Sequence, residues 1–229
     1  MDGLKPLIDK IDRKISPDEI LETHAFYESS AQKQTPGKIY SQLLAVVYKR
    51  LAEEWQIPVS WSECLIYGYS VKDWPVFSDS VTSLTYLQKY YKLVILSNVD
   101  NVSFTQTNKK LEINFHASFT AEDIGYYKPS RQNFEYMLIN LTRMGIQKKD
   151  VLHTAESMFH DHVPANCIGL ANCWINRRHD RKGFGATMDP VDIPWVQFTF
   201  NSLNEMVEAH KTEIARDNSP QVIESIEER

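Results

Sequence analysis

The chain is 229 residues long, 42% hydrophobic and 24% charged, enough to bury a substantial core in one domain with an inserted or appended subdomain. A formal net charge of -5, with lysines scattered rather than striped, leaves no basic footprint for nucleic acid. The longest apolar run, near Leu93 to Leu96, is far too short to span a bilayer, and Met1-Asp2-Gly3-Leu4-Lys5-Pro6 lacks the apolar core of a signal peptide. Cytoplasmic residence, a small-molecule partner and no membrane partner are therefore the expectations.

In chain order, Leu4, Leu7, Ile8, Ile11 and Ile15 recur at helical spacing. Ser16-Pro17-Asp18-Glu19 follows, with an N-cap serine, a proline at the first helical position and a capping-box glutamate, so two helices should meet near Ser16. From Lys38 to Trp55, Tyr40, Leu43, Leu44, Val47 and Leu51 share one face of a third helix, which Ile57-Pro58-Val59-Ser60 ends before a shorter helical piece. Residues 1–75 thus read as a helical subdomain. From Pro75 the period changes. Ser78 to Tyr91 carries Val81, Leu84 and Leu87 at helical spacing, and Leu93-Val94-Ile95-Leu96 is then the continuous apolar run of a parallel strand covered on both faces. Phe115 to Phe119, Asp150 to Thr154 and Cys173 to Asn176 read as further strands. Arg131 to Met144 reads as an amphipathic helix, with Phe134, Leu138 and Leu141 inward and Gly145 as its stop. Strands alternating with helices imply an α/β fold with a doubly wound sheet over residues 76–212, and the charged segment 213–229 reads as a mobile tail. Cys64, Cys167 and Cys173 are odd in number and wrongly spaced for paired zinc ligands, so they read as buried, reduced thiols.

In an open parallel sheet the ligand crevice lies at the carboxyl ends of the strands. Ser97 and Asn98 follow the first strand, where a hydroxyl and turn N–H groups could hold an anionic oxygen; a serine there could equally cap the next helix. Lys128 precedes Pro129, which holds its backbone extended and aims its ammonium; a solvated surface lysine is the alternative. His160, Asp161 and His162 lie just past the strand ending near Thr154. Ligands on adjacent residues diverge, so no metal and no cofactor is expected, and His160 or His162 reads as a general acid or base because imidazole titrates near neutrality. The triplet also has the form of a helix start, with Pro164 in its first turn and Gly169 as the stop.

The stretches Leu93 to Asn98, Gly125-Tyr126-Tyr127-Lys128-Pro129, Phe159-His160-Asp161-His162, the pair Trp174 and Arg177, and the junction Tyr69 to Pro75 resemble, in this order and spacing, the type II haloacid dehalogenase branch of the HAD superfamily, nearly from Gly3 to His210. The resemblance implies a Rossmannoid parallel sheet under an N-terminal helical cap, with Lys128 as the third-motif cation and Asp161 as the fourth-motif acid. Lys128, His160, Asp161 and His162 form the candidate catalytic set; Ser97, Asn98, Tyr126 and Trp74 form the candidate substrate-binding set. In that family the chain opens with a buried strand ending in a nucleophilic aspartate, of the pattern D-x-Y-G-T-L. Nothing of that pattern precedes Leu93, and Asp2-Gly3-Leu4 has no apolar strand before it, so the expected fold lacks its first core strand.

Without the nucleophile no covalent ester can form, and phosphatase or dehalogenase activity is not expected. The expected function is acid–base chemistry, a dehydration, isomerisation or cyclisation, on a small oxygenated metabolite in the cleft between cap and core. The alternatives are an inactive binding or regulatory protein and a truncated gene model of a hydrolase; a homodimer is compatible with each. The family places its opening strand between the strand ending at Ser97 and the one ending near Thr154. Backbone groups bordering that place need partners, and direct pairing of the two strands is the expected repair, ahead of strand addition by a C-terminal segment or a second protomer.

Overall fold

The computed structural model describes residues 2–217. A 3-10 turn over Asp2–Leu4 leads into α1 (Lys5–Ile8), which stops there; residues 9–16 are turn and irregular chain, so the expected helix up to Ser16 is not formed. The charged run Asp9-Lys10 and Asp12-Arg13-Lys14 offers little to bury, although Ile11 and Ile15 still pack on the helical core. α2 (Pro17–Gln34) begins as the sequence demands, with Ser16 Oγ accepting from the Glu19 N–H at 3.1 Å. Glu19 does not return the bond; its carboxylate meets Arg13 at 2.5 Å instead. α3 (Tyr40–Glu54) buries Leu43, Leu44, Val47 and Leu51 completely against Leu4, Leu7, Ile20 and Cys64. α4 (Trp61–Gly68) starts at a full capping box between Ser60 and Glu63 and ends against α3. A Cβ on Gly68 would lie 2.1 Å from the Ser41 carbonyl oxygen, so this close approach of α3 and α4 requires glycine.

The rest of the described chain is α/β. Its elements run α5 (Ser80–Leu87), β1 (Val94–Ser97), α6 (Asn101–Leu111), β2 (Ala117–Thr120), α7 (Ala121–Ile124), α8 (Arg131–Arg143), β3 (Leu152–Ala155), α9 (Val163–Cys167), β4 (Ala171–Ile175), β5 (Phe198–Phe200) and α10 (Leu203–Asp217). β5 has no counterpart in the sequence reading; at three residues it is too short to show a period. α10 extends to Asp217, so the first residues of the expected tail complete a helix, and 218–229 lie outside the described residues. Cys64 and Cys173 are buried thiols as expected, whereas Cys167 is exposed at the end of α9. Among the described residues no helix is long and apolar enough to cross a membrane.

Among the described residues all strand pairing is parallel, but it forms two sheets: β1 with β2, and β3-β4-β5 with β4 in the middle. β1 and β3 do not pair, which overturns the expected direct repair of the sheet. One apolar cluster explains how both sheets are held without it. Phe134 and Leu141 of α8 pack with Val94 and Leu96 of β1, Phe119 of β2, Ala165 of α9 and Leu170 just before β4. α8 therefore fixes each sheet independently, and neither gains packing by sliding toward the other. A second departure follows: with a strand on one side only, Val94 to Ser97 are each half-buried rather than covered on both faces.

Asp100 fastens the helical region to the α/β region. Its Oδ1 accepts from the Ser103 N–H at 2.7 Å as the N-cap of α6, and its Oδ2 accepts from the Ser41 N–H at 2.9 Å in the first turn of α3. A second tie links Tyr127, whose hydroxyl donates to the Lys38 carbonyl just before α3.

Candidate functional site

The loop carrying Lys128 is positioned from both ends. Thr120 caps α7 in a reciprocal box with Asp123, and Gly125 ends that helix at φ +79°. The chain then makes a tight turn in which the Ser130 N–H donates to the Tyr127 carbonyl at 3.0 Å and the Lys128–Pro129 peptide is cis, not the simple extended backbone expected before a proline. Asn98, just past β1, clamps the Lys128 backbone in both directions: its Nδ2 donates to the Lys128 carbonyl at 3.0 Å, and the Lys128 N–H donates to its Oδ1 at 2.7 Å. So held, Lys128 Nζ donates to the Leu96 carbonyl oxygen at 2.9 Å and to Asp161 Oδ1 at 2.6 Å, with both side chains buried.

Asp161 comes from a single π-type turn, Met158–His162, that Ser157 caps through the His160 N–H at 3.0 Å. His153 of β3 donates from Nε2 to the same Asp161 Oδ1 at 2.9 Å. Burial alone would raise the Asp161 carboxyl, but the Lys128 charge and the His153 hydrogen bond outweigh it and hold the group well below the usual carboxylate range. The Asp161 carboxyl is therefore ionised. The flanking histidines face elsewhere. His162 donates from Nε2 to the Ala155 carbonyl at 3.0 Å, and burial lowers its pKa. His160 sets Nδ1 at 3.1 Å from Ser157 Oγ, and burial pushes it down to about 4. Glu156, directly after β3, is pushed up to about 7 by burial and by the neighbouring Asp161 charge, against the pull of Arg178 and Arg177.

Beside this cluster lies a cavity of about 350 Å³, roofed by Ser29, Gln32, Lys33 and Pro36 at the end of α2 and floored by Tyr126 to Ser130. That is room for a small metabolite. Of the residues singled out from sequence, Lys128 and Asp161 meet, Asn98 locks Lys128, and Tyr126 lines the cavity. Ser97 ends β1 half-buried in register with Thr120. Trp74 stands apart from the cavity on the strap between the two regions, its indole donating to Ser70 Oγ at 3.1 Å. Arg177 anchors that strap, donating to both oxygens of Asp79 at 2.8 and 2.9 Å, and Trp174 donates to the Glu156 carbonyl at 2.8 Å. The sequence reading missed His153, Glu156 and Gln32. A histidine inside a strand that should be apolar on both faces was the available signal for the first; the other two carry none.

No protein-family model matches the chain. It is 27% identical over 116 residues to a glyceraldehyde 3-phosphate phosphatase from Methanocaldococcus jannaschii, a match spanning 49% of this chain and 46% of that protein, so the chain spans about half the length of the curated relative it matches. Among solved structures, the L-2-haloacid dehalogenase from Xanthobacter autotrophicus with chloropropionic acid covalently bound superposes with a TM-score of 0.72 at 11% identity, covering 92% of each chain. This is the haloacid dehalogenase fold. The HAD-hydrolase YfnB from Bacillus subtilis, bound to magnesium, matches at a TM-score of 0.68 and 14% identity over 91% of this chain and 89% of its own. In the HAD fold as this chain builds it, magnesium does not fit. A hard cation needs several oxygens, whereas Asp161 faces an ammonium and an imidazole, and among the described residues no three His, Cys, Asp or Glu side chains converge.

Proposed function

We propose that this chain binds a small oxygenated metabolite in the cavity between cap and core and moves protons on it without a covalent intermediate. The observation that carries the reading is the buried Lys128–Asp161 pair at the carboxyl ends of β1 and β3, next to that cavity. Strand ends of this kind are where α/β sheets place ligands. Glu156 does not line the cavity and is assigned in this reading the role of proton reservoir for the pair, because its carboxyl, raised to about 7 by burial and the neighbouring Asp161 charge, can both accept and return a proton. His160 and His162 are set aside from that role because burial lowers the pKa of each and neither lines the cavity, although among the described residues each keeps one ring nitrogen unpartnered. Their place is structural.

A binding protein without turnover is the second reading, favoured by the closed set of bonds around Asp161. Incubation in deuterated water with small hydroxy and keto acids and sugar phosphates separates the two. Carbon-bound deuterium in a recovered metabolite, lost in Glu156→Gln, is the expected result. Binding without exchange supports the second reading, and release of halide from 2-chloropropionate or of phosphate from glyceraldehyde 3-phosphate overturns both.

A further inference from the structure

The cap contains a chain of buried polar groups that the acid–base reading leaves unused. Tyr67 OH lies 2.8 Å from His24 Nε2, and His24 Nδ1 lies 3.4 Å from Glu28 Oε2. Glu28 Oε1 accepts from Tyr40 OH at 3.0 Å and from Gln32 Nε2 at 3.1 Å. His24, Gln32, Tyr40 and Tyr67 are all buried, and Gln32, at 5% exposure, is nevertheless part of the cavity roof. The bonds from Tyr40 through Glu28 to Gln32 therefore end at the cleft.

His24 Nδ1 makes no hydrogen bond in this cluster, and its 3.4 Å approach to Glu28 Oε2 is an ion-pair distance only. Glu28 is therefore free to be ionised or protonated on Oε2 without disturbing its Oε1 side. Both states leave Glu28 Oε1 as the acceptor for Tyr40 and Gln32. Burial raises Glu28 to about 7, so both states are populated near neutrality, and neither turns the Gln32 amide. The amide nitrogen is thus committed to Glu28, and the oxygen is left over. Among the described residues no protein donor meets Gln32 Oε1.

We propose that Gln32 Oε1 is the cap's specificity determinant, a fixed acceptor that selects ligands presenting a hydroxyl donor toward α2, with Glu28 as the residue that positions it. This inference rests on the cavity being the ligand site. A ligand that covers this cavity-lining acceptor and offers it a hydroxyl satisfies it, whereas an analogue lacking the hydroxyl shuts it off from water without a partner, which is how sites reject deoxy compounds most strongly. The fixed orientation adds to this, because nothing is spent in ordering the side chain on binding.

The test compares glycerol 3-phosphate with propyl phosphate, and lactate with propionate, pairs that differ only in hydroxyl groups. Calorimetric titration of the full chain should give at least tenfold tighter binding of one hydroxylated member over its partner, falling below about threefold in Gln32→Leu and in Glu28→Leu. Glu28→Gln should keep the discrimination, since its amide oxygen still accepts from Gln32 and Tyr40, a rescue that a purely structural role for Glu28 would not single out. Gln32→Asn withdraws the oxygen by one methylene and gives the same readout should the leucine variants fail to fold. Equal binding within both pairs by the unaltered chain, or discrimination that survives in Gln32→Asn, overturns the inference alone. Absence of binding by any of the four compounds overturns the cavity reading and the inference with it.

Discussion

At the scale of single residues, burial sets most of the charge states. His24 and His160 are pushed from 6.5 down to about 4, and Glu28 and Glu156 from 4.5 up to about 7, in each case chiefly by desolvation. The signs oppose. Between about pH 4.5 and 6.5 the unfolded chain protonates histidines that the folded chain keeps neutral, so stability rises with pH; over the same range the folded chain keeps two carboxyl protons that the unfolded chain sheds, so stability falls. His162, also lowered, tips the balance slightly toward a rise. The melting temperature should therefore climb only weakly across this window and drop below it as Asp161, depressed by Lys128, loses its contribution. In Glu28→Gln with Glu156→Gln the opposing half is gone, and calorimetry should find a steep climb from pH 4.5 to 6.5; an unchanged weak slope would contradict these assignments. Little of this was readable beforehand. Lys128 and Asp161 stand in recognisable patterns, but Glu156 becomes a titrating group only through burial at a strand end, and burial is a product of the whole fold.

Elements were more legible than side-chain roles wherever a local signal governed them. Ser16-Pro17 starts α2 because an N-cap bond and a fixed proline φ act within one turn, and the apolar face of α3 was readable because nine of its residues are buried. α1 was overextended because Ile11 and Ile15 keep a helical spacing while packing from irregular chain. The contact between α3 and α4 depends on a residue with no side chain, and Gly68→Ala should show it: a methyl aimed at the Ser41 carbonyl must push the helices apart, at a cost of about 3 kcal/mol, the upper part of the range for overpacking. Chemical denaturation would measure the loss, and a change of less than about 0.5 kcal/mol would mean that the helices can yield at that point.

On the scale of the whole molecule, the parallel α/β architecture followed from the alternation of strands and helices, but the division into two sheets did not. Pairing partners are set by which strands a helix such as α8 can hold, a relation that no stretch of sequence displays. Hydrogen exchange should reveal the difference: β4 has neighbours on both sides, β1 on one, so β1 amides should exchange at least about tenfold faster, and equal protection would indicate a partner for β1. The attachment of cap to core has a kinetic meaning as well. Asp100 ties the first turn of α3 to the first turn of α6, and Tyr127 ties the cavity floor to the chain before α3, so cap and core are riveted on the cleft side itself. These bonds oppose a swing of the cap about the cleft. Opening limited to rotations of lining side chains such as Tyr126 and Lys33 takes nanoseconds rather than the microseconds to milliseconds of domain closure, so a molecule lodged in the cavity would exchange with solvent fast and stay briefly.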